Sequence, residues 1–198
     1  DGAMLEETVP ATARVFRRAI VMPNLTPPVT TVALAEAYRE RILAAIPAGV
    51  DFEPLMVLYL TDETPVEEIE RAAQSPCVHA FKLYPAGATT NSDSGVTNPA
   101  RIHHLYEALE KHDLPFLVHG EVTEPEIDIF DRERVFIDRY LNDIRERFPA
   151  LRIVFEHVTT SEGVDFVREG GDLTAATVTP QHLLMNRNDL LVGGVRPH

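Results

Sequence analysis

Val78-His79-Ala80-Phe81-Lys82-Leu83-Tyr84-Pro85 is an apolar, β-type run that closes on a lysine and a proline. Alternation along a strand puts Val78, Ala80 and Lys82 on one face and His79, Phe81 and Leu83 on the other. Lysine is among the residues least often buried, so a lysine here marks where the strand leaves an apolar core. The small side chains beneath it leave room for a long stem to turn into the mouth of whatever the strand lines. Two readings stand side by side. One is a lysine snorkelling to a rim. The other is a desolvated lysine of lowered pKa, available as base, Schiff-base former or carbamate.

Working outward, the same grammar repeats. Ala19-Ile20-Val21-Met22 is an earlier apolar run, ended by Pro23-Asn24, and residues 55–60 (LMVLYL) form another. Leu114 to Val118, Ile153 to Phe155 and Leu173 to Val178 follow. Between them lie helical patterns. Thr30 or Thr31 caps a helix whose buried face is Val32, Ala35, Tyr38, Ile42 and Ile46. Thr64-Pro65-Val66-Glu67 reads as a capping box with proline at the first helical position. Asn98-Pro99 opens a further helix, a long charged one runs from about Arg132 to Phe148, and another begins at Ser161. Nearly continuous apolar strands separated by helices predict an α/β fold with a parallel sheet covered on both faces. No GxGxxG or GxxxxGK[ST] turn follows the first strand, which disfavours the doubly wound class. The expectation is a (β/α)8 barrel with about six of eight βα units present, where about 250 residues is typical.

Composition narrows function. The 198 residues are 44% hydrophobic and 25% charged, those of an ordinary globular chain. A net charge of -13 repels phosphate backbones and anionic lipids, so neither nucleic acid nor a membrane surface is expected as partner. The single Cys77 makes no internal disulfide, which fits a reducing cytoplasm. Asn24-Leu25-Thr26 matches a glycosylation sequon by chance in such a chain. The chain opens on Asp1-Gly2 without an initiator methionine, as though cut from something longer.

In a barrel, chemistry sits where strands end and βα loops begin. Here those ends are Pro23-Asn24, Lys82-Leu83-Tyr84-Pro85, His119-Gly120-Glu121 and Glu156-His157-Val158-Thr159-Thr160. A lone histidine at a strand end is usually a hydrogen-bonded core residue. His119 and His157, each closing an apolar strand, point to a metal pair, because neutral imidazole is the commonest metal ligand. Two histidines and an anionic oxygen suit zinc with an open position. Glu121 and Glu156 are nearby carboxylates, and alternation points Glu156 away from His157, which makes it a residue of the rim or one that supports the ligands from behind. His182 follows the sixth strand at the same end, whereas His79, His103, His104 and His112 read as helix-facing or surface residues. Residues 85–95 (PAGATTNSDSG) read either as a plain connector or as a lid whose hydroxyls close over a polar substrate.

Together, residues 21–28 (VMPNLTPP), Lys82-Leu83-Tyr84-Pro85-Ala86 with Thr89-Thr90-Asn91-Ser92, Leu117-Val118-His119-Gly120-Glu121, Phe155-Glu156-His157 and residues 192–198 (VGGVRPH) resemble the dihydroorotases, in their shorter bacterial type within the amidohydrolase superfamily. The likeness covers essentially the whole chain, with its motifs in order. It implies a metal-dependent hydrolase on a (β/α)8 TIM barrel, interconverting N-carbamoyl-L-aspartate and L-dihydroorotate in pyrimidine biosynthesis. By the resemblance Lys82 is carboxylated by carbon dioxide and its carbamate bridges two zinc ions, and His119 and His157 bind the second. Asn24 holds the substrate carboxylate, Thr89 and Thr90 sit on a mobile loop, and the protein is a homodimer.

The resemblance also sets expectations that the sequence does not meet. The family's His-x-His strand and its arginine should precede Asp1, and the catalytic aspartate should follow His198, so residues 1–198 read as one incomplete barrel domain holding strands two to seven. Rival readings are an inactive or partner-dependent remnant, and another cyclic amidohydrolase such as a hydantoinase or allantoinase.

Overall fold

Strands that are apolar on both faces have to be covered on both, and the computed structural model shows how this chain does so. It describes residues 2–194; Asp1 and residues 195–198, with the VRPH part of the last motif and His198, lie outside the described residues. A 3-10 turn, Gly2–Met4, leads into helix α1 (Leu5–Ala13). Strands β1 (Arg18–Val21), β2 (Glu53–Tyr59), β3 (Val78–Leu83), β4 (Phe116–Val118), β5 (Ile153–Phe155) and β6 (Thr174–Ala176) form one sheet. All five pairings are parallel and the spatial order is the chain order, with no reversal. A doubly wound sheet must reverse at a switch point. Consecutive order is that of a barrel wall, as expected.

The register builds a layered interior. Tyr59 pairs with Lys82, Lys82 with Leu117, Leu117 with Val154, and Val154 with Ala175. Partners in a parallel ladder share a face, so these side chains all point to the barrel axis. Val57 and Ala80, one layer down, join Leu117 in a small apolar cluster with Met22 and Val154 against it. The opposite face carries Leu58, Phe81, Leu83, Phe116, Val118 and Phe155, all buried beneath helices. Each such side chain, fully buried, stabilises by roughly 1.5–3 kcal/mol before entropy is counted.

The helices follow most of the sequence signals. Helix α2 (Val32–Ala44) starts at Thr31, whose backbone is extended and whose hydroxyl accepts the Leu34 N–H at 3.3 Å. Its Ala35, Tyr38 and Ile42 are buried, while Val32 and Ile46 pack only partly. Helix α3 (Val66–Gln74) starts without the expected capping box. Thr64 instead uses its hydroxyl to accept the Thr61 N–H at 2.9 Å, closing the turn beyond β2. Asn98 caps a 3-10 turn, Pro99–Arg101, ahead of α4 (His103–Lys111).

The predicted long helix is interrupted: α5 (Arg132–Phe136), a π segment (Ile137–Leu141) and α6 (Asn142–Arg147). Helix α7 (Ser161–Glu169) is capped by Thr160, and two short helices, α8 (Pro180–Leu184) and α9 (Arg187–Leu191), follow β6. Among the described residues no helix is long and apolar enough to cross a membrane.

One glycine matters to this packing. A Cβ on Gly120 would stand 2.1 Å from Cε2 of Phe155, a fully buried ring. Gly120→Ala is therefore expected to destabilise the complete protein by about 1–3 kcal/mol through overpacking. The urea midpoint measures this, and an unchanged midpoint would show that the ring yields freely.

Candidate active site

The strand ends place the sequence-derived candidates together. The ladder continues one step past the strands: His119 N–H donates to Leu83 O at 3.0 Å, and Glu156 N–H to Val118 O at 3.1 Å. By this register His119 and Glu156 share one height on neighbouring strands, a layer above Lys82. Lys82 is 1% exposed, which excludes the rim-snorkelling reading. Its ammonium pairs with the buried carboxylate of Glu156 and lies 5.1 Å from the Tyr84 ring centroid. Burial pushes the Lys82 ammonium below its ordinary pKa, and Glu156 pulls it partly back. Glu156, read in the sequence as a rim residue, is in fact the counter-charge of the site.

Strict alternation would aim His157 outward, away from the barrel axis. Its backbone is instead left-handed, with φ 45. For a non-glycine residue this costs on the order of 1–3 kcal/mol and persists only where the surroundings over-determine it. The reversal returns the imidazole to the mouth, where Nε2 lies 3.2 Å from Nδ1 of His119. On the other side of His119, Glu121 Oε1 is 3.2 Å from Nε2. That negative charge favours a proton on Nε2 and leaves Nδ1 bare, the arrangement that orients an imidazole for a metal. Burial chiefly, then the positive charge of Lys82, pushes His157 down to about 4, so it is neutral at physiological pH.

The pair fits a metal ion by its spacing. Two nitrogens sharing one tetrahedral zinc at about 2.0–2.1 Å lie about 3.3–3.4 Å apart, and here they are 3.2 Å apart. Among the described residues no group of three or more His, Cys, Asp or Glu side chains is clustered to hold a metal. By themselves the two histidines would supply at most two of the four positions that a tetrahedral zinc takes.

Lys82, His119, Glu156 and His157 floor a cavity of about 410 Å³, also bounded by Asn24 and Thr89. His182, the outlying candidate from the sequence, lines the cavity too, its Nδ1 2.9 Å from the Thr179 hydroxyl. The segment over the cavity is not a loose connector. Ser92, fully buried, donates its hydroxyl to Thr89 O at 2.6 Å and accepts the Thr89 N–H at 2.9 Å. Asn24 Nδ2 donates to Thr90 O, and Asn91 Nδ2 donates back to Asn24 O, both at 3.0 Å. The Tyr84 hydroxyl donates to Asn24 Oδ1 at 3.1 Å. Burial raises the Tyr84 phenol and pushes Tyr59, stacked on it at 5.1 Å, up to about 12, so both stay protonated donors.

The depressed pKa of His157 has a pH signature. The unfolded imidazole binds a proton near 6.5 and the folded one near 4. Between those values the unfolded state holds more protons, so stability falls as pH drops from about 6.5 to about 4 and levels below that. In metal-free protein, His157→Asn is expected to flatten this part of the stability–pH curve. Denaturant unfolding at several pH values measures it, and an unchanged slope would assign the dependence to other groups.

Comparison with known proteins agrees with this geometry. The chain is 81% identical to a dihydroorotase of Alcanivorax borkumensis over all 198 residues, which cover 58% of that relative. A crystal structure of dihydroorotase from Campylobacter jejuni superposes with a TM-score of 0.89 at 35% identity, covering 100% of this chain and 56% of that one. The Saccharomyces cerevisiae dihydroorotase in complex with 5-fluoroorotic acid superposes at 0.87 and 28% identity, covering 98% of this chain and 57% of that one. The chain thus spans somewhat over half the length of the relatives it matches. With six consecutive parallel strands and these neighbours, the fold is that of an α/β barrel in part. The amidohydrolase family model matches residues 5–171, most of the chain, and this protein is a member of the amidohydrolase family.

Proposed function

We propose that this chain carries the metal-binding face of a dihydroorotase, a cyclic amide hydrolase that interconverts N-carbamoyl-L-aspartate and L-dihydroorotate in pyrimidine biosynthesis. The observation that carries the reading is the His119–His157 pair, 3.2 Å apart, beside a lysine buried in the barrel mouth. The 81% identity to a dihydroorotase along the whole chain supports it. In this reading residues 1–198 form one barrel domain corresponding to strands two to seven.

His119 and His157 would hold one zinc ion, and Lys82, once carboxylated by carbon dioxide, would serve as a ligand shared with a second. Carboxylation forms an N–C bond on the neutral amine and releases a proton, turning a cation into a bidentate anion. Lowering of the Lys82 pKa by burial favours that neutral amine, and the Glu156 ion pair is the arrangement of the uncarboxylated side chain. When bound, the zinc ions supply Lewis acidity that polarises an amide carbonyl and lowers the pKa of water.

The rest is done by the chain itself. Asn24 presents its amide to the substrate carboxylate, exchanging Thr90 O for that group. Thr89 and Thr90 lean over the cavity and exclude water. Tyr84 fixes the Asn24 amide by donating to its oxygen. No group among the described residues is assigned as general acid or base. The reading carries with it a cytoplasmic homodimer.

Metal analysis and turnover of the complete protein test the reading. Two zinc ions per chain with hydrolysis of dihydroorotate in preference to hydantoin are expected. Preference for hydantoin would favour a hydantoinase, and a metal-free protein without turnover would favour an inactive remnant. Lys82→Ala is expected to abolish binuclear binding, and His119→Ala to lower zinc stoichiometry at the second position. Retention of two zinc ions by Lys82→Ala would remove its bridging role. Sedimentation of the same protein tests the dimer.

A further inference from the structure

Glu133 lies on α5, outside the sheet, yet its side chain is nearly sealed from solvent at 9% exposure. Both carboxylate oxygens are taken up by the turn that follows His157. The Thr159 N–H donates to both at 3.1 Å, and the Thr160 N–H donates to Oε1 at 2.9 Å. The Thr159 and Thr160 hydroxyls donate to Oε2 and Oε1 at 3.1 and 2.6 Å. Gly163 admits the carboxylate: a Cβ there would come within 2.6 Å of Oε1.

The residue just ahead of this clamp is the one in the left-handed conformation. His157 is held from the sheet side by its own N–H, which donates to the Thr177 hydroxyl at 2.8 Å, and Val158 N–H donates to Thr177 O at 3.1 Å. On the far side, Thr159 is the next point of attachment, and Glu133 makes it. The sheet grips a strained backbone angle through two adjacent amides, His157 and Val158, and Glu133 anchors the turn that must close behind them.

We propose that Glu133 is a positioning residue for His157: by clamping Thr159 and Thr160 it keeps His157 in the left-handed turn that aims its imidazole at His119. The effect on metal rests on the dihydroorotase reading, whereas the effect on His157 itself does not. The competing view is that Glu133 only caps α7.

The test uses the complete protein with Glu133→Ala, Glu133→Gln and Gly163→Ala, the last of which displaces the carboxylate without removing it. Glu68→Ala is the matched control. Glu68 is an equally buried carboxylate whose partners are the Val32 N–H at 2.6 Å and Arg71, none of them in the site. Cobalt serves as the metal probe, with its d–d absorption as the spectroscopic signature.

Glu133→Ala and Gly163→Ala are expected to weaken cobalt binding about tenfold or more and to change its spectrum. Glu133→Gln, which keeps an acceptor, should fall between these and the parent. Glu68→Ala should lower the melting temperature while leaving affinity and spectrum at parent values. In metal-free protein the His157 amide and ring resonances should shift in the Glu133 and Gly163 variants only. Parent-like resonances in Glu133→Gln and Gly163→Ala would overturn the proposal, and these two variants decide if Glu133→Ala fails to fold. A parent protein that binds no cobalt would end the metal reading, with the metal-free resonances still deciding the role of Glu133.

Discussion

A charged side chain inside a barrel is tolerable only if its counter-charge is built into the same wall, and the mouth of this molecule is organised around that constraint. Lys82 stands on β3 and Glu156 just beyond β5, with β4 between them, and the parallel register brings the two into contact. Removing either partner would leave an uncompensated buried charge, a loss of roughly 3–5 kcal/mol. The lysine that needs neutralising also helps keep His157 uncharged. One buried cation therefore shapes the strand-end arrangement and adds to burial in keeping a neighbouring imidazole uncharged. Glu121 completes the pattern from the other flank, where a carboxylate beside His119 favours the tautomer with a free Nδ1.

The site combines rigid and strained parts. Lys82, His119 and Glu156 are fixed by ladder hydrogen bonds and inherit the sheet's rigidity. His157 lies one residue beyond that protection and owes its direction to a backbone angle that only tertiary contacts maintain. This division is common at functional sites, where local preference is overridden and the surroundings compensate.

Much of this was legible in the sequence, for identifiable reasons. Apolar runs flanked by caps located all six strands: β2 to β5 are mostly buried, which leaves little ambiguity, whereas β1 and β6 are largely exposed and were legible from their apolar composition alone. A lysine at the end of such a run stood out because burial of an ammonium is so costly. His119 and His157 were visible by their position at strand ends. What escaped notice depends on pairing across distance. Glu156 looked like a rim residue because nothing local says that a lysine sits opposite. Glu133 belongs to a charged helix that reads as solvated, and its partners come 26 and 27 residues later. The interruption at Ile137–Leu141 left no glycine or proline as a signal, and the Thr64 hydroxyl went to a turn instead of a helix cap.

The segment over the cavity has a base of its own. Pro85 and Val96 form an isolated parallel bridge, Val96 N–H donates to Tyr84 O at 2.9 Å and Ala86 N–H to Val96 O at 3.0 Å. Asp62 then fastens Thr97 through its backbone N–H and hydroxyl. With its ends stapled, the stretch between is closed as a loop, tied to the barrel by its bonds to Asn24 and Tyr59. Loop-closure entropy grows only slowly, by about 0.6 kcal/mol per doubling of length. Within residues 86–95 the buried Ser92 and Gly95, where a Cβ would stand 2.4 Å from Tyr84 O, are fixed by packing. Change at small cost to stability is therefore confined to exposed positions such as Asp93 and Ser94, which makes these the place where a lineage can alter the rim while the charged floor beneath stays as it is.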